Sequence, residues 1–182
     1  MDTDRSIEAL SNACHLCASV KNLAKVVIPQ STGSPPDRVG SLFAADIMRR
    51  TKQYILIIRE CVTSYTVGCI IENEKATSLR DILLHLCSDL RPLYGSLAVI
   101  RTDPAPGFLA LRNDKLLQRS NLKFEIGRIK NPNKNPVADK AIRELEDELI
   151  RLNSGGSPMS RTSLSQAIAV LNSRIRFSGV SA

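Results

Sequence analysis

Leu42-Phe43-Ala44-Ala45-Asp46-Ile47-Met48, Gln53-Tyr54-Ile55-Leu56-Ile57-Ile58-Arg59 and Thr66-Val67-Gly68-Cys69-Ile70-Ile71 follow one another with short links between them. Each reads as a β-strand, and the unbroken Ile55–Ile58 run implies a strand covered on both faces. Links as short as Arg49-Arg50-Thr51-Lys52 join strands as antiparallel hairpins. The segment therefore opens an α/β domain with a three-strand meander.

Downstream the pattern changes. Leu79, Ile82, Leu83, Leu86 and Leu90 recur at helical spacing, so a helix is expected over about 78–90, with Ser78 and Asp81 as a capping pair and Pro92 after its end. Ser96–Arg101 reads as a fourth strand, parallel to the first because a helix crosses over between them. A weaker helix over Leu109–Arg119, a short strand over Lys123–Gly127 and a polar loop over 130–136 come next. A strong helix is expected from Val137 to Leu152, with Val137, Ala141, Ile142, Leu145 and Leu149 on its buried side. A last helix spans about 161–175, with Leu164, Ile168, Leu171 and Ile175 on one side.

The chain has 182 residues, with 25 Lys plus Arg against 18 Asp plus Glu, for a net charge of +7. A hydrophobic fraction of 43% excludes a disordered basic tail. Aromatic residues make up 4% and Trp is absent, which argues against sugar-stacking sites and base-stacking platforms. The basic excess fits a polyanion partner without specifying one. Three Pro and two Gly over residues 28–40 mark a linker, so the expected domains are 1–27, the linker 28–40, and a core over 41–182. The odd set Cys14, Cys17, Cys61, Cys69 and Cys87 favours a reducing compartment, hence an intracellular location. Cys61, Cys69 and Cys87 read as buried small hydrophobes, and His85 as a surface or boundary residue. No signal peptide, membrane span or dense nuclear-import cluster is read.

Three acids carry the candidate chemistry. Asp46 lies inside the first strand, where a carboxylate is costly unless a metal, a base or a wet sheet end compensates it. Asp103 follows the fourth strand in Thr102-Asp103-Pro104-Ala105-Pro106-Gly107-Phe108; carboxyl ends of parallel strands deliver ligand-binding residues, although Asp-Pro is also an ordinary turn. Asp139 lies in the first turn of the 137–152 helix, where the helix dipole alone favours an anion. At ~100° per residue it sits about 200° round from Val137, on the side away from the core with Lys140, Arg143 and Glu146.

Three antiparallel strands extended through crossover helices by parallel strands is the ribonuclease H-like topology. With Asp46 in the first strand, Asp103 after the fourth, and a helical acid after 35 intervening residues, the chain resembles a retroviral-type integrase core. Ala45-Asp46, Ile58-Arg59-Glu60-Cys61-Val62-Thr63-Ser64-Tyr65, Arg101–Phe108, Lys134-Asn135-Pro136-Val137-Ala138-Asp139-Lys140-Ala141 and Leu171–Ala182 are similar to integrases of Bel/Pao-type LTR retrotransposons.

The resemblance implies a mixed five-stranded sheet flanked by helices, and a polynucleotidyl transferase that trims DNA 3′ ends and joins them to target DNA. It implies two Mg²⁺ or Mn²⁺ ions, with Asp46 and Asp103 bridging one site and Asp139 helping to hold the second. The family usually carries Glu where this chain has Asp139. Lys130, Lys134, Lys140 and Arg143 are the expected phosphate contacts; Asn135, with Asn131 and Asn133, either joins them or satisfies its own loop. Cys14 and Cys17 match the last two ligands of an N-terminal His/His/Cys/Cys zinc domain, but no His precedes them, so no ordered zinc is expected. Homodimerisation through the 78–90 and 161–175 helices, and nuclear action on host DNA, complete the expectation. The competing readings are a non-catalytic descendant acting as a DNA-binding or self-associating module, and a ribonuclease H or exonuclease, whose fourth carboxylate is not evident in the sequence.

Overall fold

The computed structural model describes residues 13–14, 36, 38–127, 135–152 and 158–174. Five strands, β1 (Leu42–Arg50), β2 (Gln53–Glu60), β3 (Thr66–Ile71), β4 (Ala98–Thr102) and β5 (Leu122–Ile126), form one sheet in the order β3-β2-β1-β4-β5. The β1–β2 and β2–β3 pairs are antiparallel, whereas β1–β4 and β4–β5 are parallel. Both link rules therefore hold: short turns give hairpins, and the helical crossover gives a parallel partner.

The sheet is covered on both sides. One apolar layer joins Phe43, Ala45, Leu56 and Ile58 to Leu79, Leu83 and Leu86 of α1 (Ala76–Leu90) and to Phe108 and Leu117 of the short helices α2 (Pro106–Ala110) and α3 (Lys115–Arg119). The other joins Met48, Ile55 and Ile57 to Ala141, Leu145 and Leu149 of α4 (Pro136–Leu152) and to Leu164, Ala167 and Leu171 of α5 (Arg161–Ser173). Consecutive residues of β2 alternate between the two layers, which explains its continuous apolar run. Asp46 lies two residues before Met48 and opposite Ile57, so it shares the face that α4 covers.

Polar side chains complete the backbone pairing. Asn172 of α5 accepts from Thr66 N at 2.9 Å and donates to Thr66 O at 2.8 Å, acting as a strand partner for β3. Gln53 makes the same reciprocal pair with Met159, at 3.0 and 2.7 Å. Glu60 organises the β2–β3 turn by accepting from Val62 N, Thr63 N and Thr63 Oγ1 at 2.9, 2.6 and 2.8 Å. Arg59, 1% exposed, donates to Thr66 Oγ1 at 2.9 Å and to Glu144 of α4 at 2.6 Å. A buried guanidinium is tolerable because it is paired and hydrogen-bonded, and here it ties α4 to β2.

Several local expectations are corrected. The crossover helix begins at Ala76, with Lys75 as N-cap and no side-chain cap bond. Asn73 accepts from Lys75 N at 3.0 Å in a turn just before it, while Asp81 pairs with Arg80 at 2.9 Å, so Ser78–Asp81 is not a capping pair. The 109–119 helix is two short pieces, α3 being started afresh by Asp114, whose carboxylate accepts from Leu116 N and Leu117 N. The buried stripe of α4 is rotated: Ala138 and Glu148 are buried and Val137 is half-buried. Glu148 tolerates burial because Arg151 and Arg174 pair with it. Cys87 is buried, whereas Cys61 and Cys69 are half-buried. Burial pushes the Cys87 and Cys61 thiols up to about 12 and about 11, so both stay protonated at neutral pH. His85 is exposed, as expected.

Gly107 lets α2 pack directly on the segment leading into α1. A Cβ there would collide with the carbonyl oxygen of Glu74 and lie 2.7 Å from Leu79 Cδ1. Gly107→Ala is therefore expected to lower stability by about 1–3 kcal/mol, through backbone displacement rather than helix propensity. A urea midpoint equal to that of the parent chain would refute this.

Candidate active site

β1 and β4 pair only from Leu42↔Val99 to Ala44↔Arg101, and then part. Asp46 stands on β1 just beyond that point, and Asp103 follows the end of β4. Both line a cleft of about 310 Å³ together with Ile47, Arg49, Glu74, Pro104, Ala105 and Phe108. A crevice outside the carboxyl ends of parallel strands is where open α/β sheets bind ligands, because diverging strand ends leave space that no side chain fills.

Asp139 comes from the first turn of α4, its amide donating to Asn135 O at 3.0 Å. It is not one of the cleft-lining residues, but its charge is felt there. Burial, followed by Asp103 and opposed by Arg143, raises the Asp139 pKa above the ordinary carboxylate value. Asp46 is lifted from 3.8 to about 6, first by burial, then by the charges of Asp103, Asp139 and Glu74; the Ile47 N–H, at 2.7 Å from Oδ1, works the other way. The three acids thus form one electrostatic unit. Among the described residues no three His, Cys, Asp or Glu side chains are set as a ready-made metal cluster. The chemistry of the donors nevertheless suits a hard divalent cation. They are carboxylate oxygens alone, in a cleft wide enough for water, and their mutual repulsion would be relieved by positive charge.

Glu74 escaped the sequence reading. It follows β3, which runs in the same direction as β1 and β4, so the chain leaves β3 at the same sheet edge as Asp46 and Asp103. That parallel sense was the available signal. Arg49 holds Glu74 at the rim, Nη2 donating to Oε2 at 2.8 Å and Nε to Oε1 at 3.4 Å, while its guanidinium lies 5.1 Å from the Tyr54 ring centroid. Glu74 is therefore a third carboxylate lining the cleft, and a fourth acid beside the set that includes Asp139.

The expected DNA contacts separate. Lys140 and Arg143 are exposed on α4 beside Asp139, and Lys140 lies 3.9 Å from Glu144. Lys130 and Lys134 lie outside the described residues, as does Cys17, while Cys14 is exposed. Asn135 does not face outward. It is 2% exposed, and its Nδ2 donates to Ala45 O at 2.9 Å and Arg101 O at 3.1 Å. An amide used up on internal carbonyls has no donor left for a phosphate, so its assignment as a DNA contact is withdrawn.

This architecture is the ribonuclease H-like fold. Among solved structures the chain is similar to the catalytic core domain of BIV integrase, with a TM-score of 0.63 and 24% sequence identity over 78% of this chain and 90% of that one. No family model matches the chain, and no curated protein matches it.

The Asp46 shift has a sign. Its folded pKa of about 6 lies above the unfolded value of 3.8, so the folded state favours the neutral acid. Its contribution is fully present below the unfolded value and is lost as pH rises to about 6. In metal-free buffer Asp46→Asn is expected to flatten that slope and to stabilise the chain at pH 7 by about 1–2 kcal/mol, allowing for partial exposure. Urea titrations at pH 4, 5, 6 and 7 (on the order of unit steps across the window) check this; parallel curves for parent and variant would contradict it.

Proposed function

We propose that this chain is a polynucleotidyl transferase core that trims DNA 3′ ends and joins them to a target strand, as integrases of LTR retroelements do. The observation that carries the reading is the single electrostatic unit of Asp46, Asp103 and Asp139 at the splayed ends of β1 and β4. The fold alone would not select this chemistry. The quoted sequence words favour a Bel/Pao-type element.

Mg²⁺ or Mn²⁺ would be held by Asp46 and Asp103, with Asp139 contributing from α4. When bound, two such ions supply activation of the attacking oxygen and stabilisation of the leaving one. In end trimming, water forms a new P–O bond and the bridging P–O3′ bond breaks, leaving a 3′-hydroxyl. In joining, that hydroxyl attacks a target phosphodiester and the target's own 3′-oxygen leaves. One bond forms and one breaks in each step, so no energy source is needed.

The protein's tasks are positional. Ile47 N–H fixes Oδ1 of Asp46, and the Asp103-Pro104-Ala105-Pro106 turn restricts the backbone that carries Asp103. Lys140 and Arg143 flank Asp139 and would take phosphates, with Lys130 and Lys134, which precede α4 in sequence, as further candidates. The self-association face in this reading is the groove between α1 and α5 over β3, about 530 Å³, lined by Val67, Leu86, Asp89, Ile168 and Ala169. Residues 1–27 would be the remnant of the zinc domain, 28–40 a linker and 41–182 the core. The site of action would be host DNA in the nucleus.

The test is a Mn²⁺-dependent strand-transfer or disintegration assay on the full chain. Asp46→Asn and Asp103→Asn are expected to reduce turnover at least about 10³-fold. Asp139→Glu lengthens the side chain by one methylene toward the cleft and is expected to retain or raise activity. An inactive parent chain whose melting temperature Mn²⁺ leaves unchanged would end the catalytic reading in favour of a DNA-binding or self-associating module. Glu74 favours a second reading, a four-carboxylate nuclease. Cleavage of RNA–DNA hybrid with no strand transfer would select it.

A further inference from the structure

The buried amide of Asn135 stands where the two acid-bearing strands separate. Ala44↔Arg101 is the last pair of the β1–β4 ladder. The next carbonyl along β1, that of Ala45, and the carbonyl of Arg101 both accept from Asn135 Nδ2, at 2.9 and 3.1 Å. The carbonyl of Asn135 accepts from Asp139 N at 3.0 Å. One residue is thus bonded to the residue before Asp46, to the residue two before Asp103, and to Asp139 itself.

The side-chain type follows from this geometry. Two carbonyl oxygens must be met by two N–H groups on one short, planar nitrogen, and Asn supplies them. Asp would aim acceptors at acceptors, Ser has one donor, and Gln is a methylene too long. Pro136 restricts Asn135 to extended backbone and opens α4 with its φ already helical, so the amide is aimed before the helix docks.

We propose that Asn135 is the positioning residue of the acidic site, setting the distance between the β1–β4 fork and α4 so that Asp139 meets Asp46 and Asp103. The proposal rests on the reading of those acids as one metal-binding set. Asn135 touches neither metal nor DNA in this role. Its loss acts on how the acids are held, as loss of an outer-shell hydrogen bond does at other metal sites.

The experiment compares the parent full chain with Asn135→Ala and Asn135→Ser, the second keeping one donor should the first not fold. Hydrogen exchange is measured without metal, Mn²⁺ affinity by calorimetry, and kcat and KM in strand transfer. The expected result is faster exchange at the first-turn amides of α4 with β2 protection unchanged. Mn²⁺ affinity falls about 10–100-fold, and kcat falls with KM for DNA unchanged. Ser falls between Ala and the parent. Three outcomes would overturn the proposal: a rise in KM alone, which marks a DNA contact; a lower melting temperature with Mn²⁺ affinity intact, which marks a purely structural residue; and unchanged α4 exchange. A parent chain that binds no Mn²⁺ while Asn135→Ala still loosens α4 would instead strike the metal-binding reading, and Mn²⁺ binding by the parent is measured first.

Discussion

β1 and β4 share only three paired positions, Leu42–Ala44 with Val99–Arg101, before they diverge. Parallel strands that continued together would bury Asp46 in a ladder and leave no cleft. Strands that diverged unsupported would leave carbonyls of Ala45 and Arg101 unbonded in the interior, a cost of about 1–3 kcal/mol for each. The Asn135 amide resolves both problems at once. It closes the fork with hydrogen bonds and keeps the carboxyl ends apart. The cleft, the approach of α4 and the placing of Asp139 all follow from that closure.

The acidic unit is held against its own repulsion by attachments remote from it. Arg59 reaches through the sheet face to Glu144, Glu148 is neutralised by Arg151 and Arg174, and Asn172 completes the edge of β3. These contacts hold α4 and α5 on the sheet while Asp103 and Asp139 add to the cost of ionising Asp46. Clustered carboxylates raised by burial and by one another are a common property of functional sites, because a structure evolved only for stability would remove them. Arg49, packed over the Tyr54 ring, holds Glu74 at the same rim, so the cleft carries a fixed cation as well as acids.

The fold was largely legible because its signals are local. The Ile55–Ile58 run, the tight hairpin links and the heptad-like spacing in α1 and α4 each report burial directly. What misled was also local. Ser78 and Asp81 have capping spacing, but the helix already begins at Ala76, after the turn that Asn73 makes with Lys75 N. Val137 lies on the apolar side of an isolated helical wheel, yet α4 docks with Ala138 inward because the small side chain allows close approach. Glu148 is absent from the expected apolar stripe, and its partner Arg174 lies at the end of another helix, which no helical wheel includes.

The three-strand meander, the parallel crossover to the fourth strand, and the choice of Asp46, Asp103 and Asp139 as candidate acids were legible in the sequence alone. Each depends on periodicity, link length or spacing along one chain. The tertiary structure decided the rest. It made Asn135, open in the sequence between a phosphate contact and a loop-satisfying residue, an internal clamp, and it brought Glu74 to the cleft through the shared direction of β1, β3 and β4. It also coupled Asp139 to two carboxylates far away in sequence. Hydrogen-bond partners and electrostatic neighbours are set by distance in space, and a single sequence encodes that distance only through the packing of the whole domain.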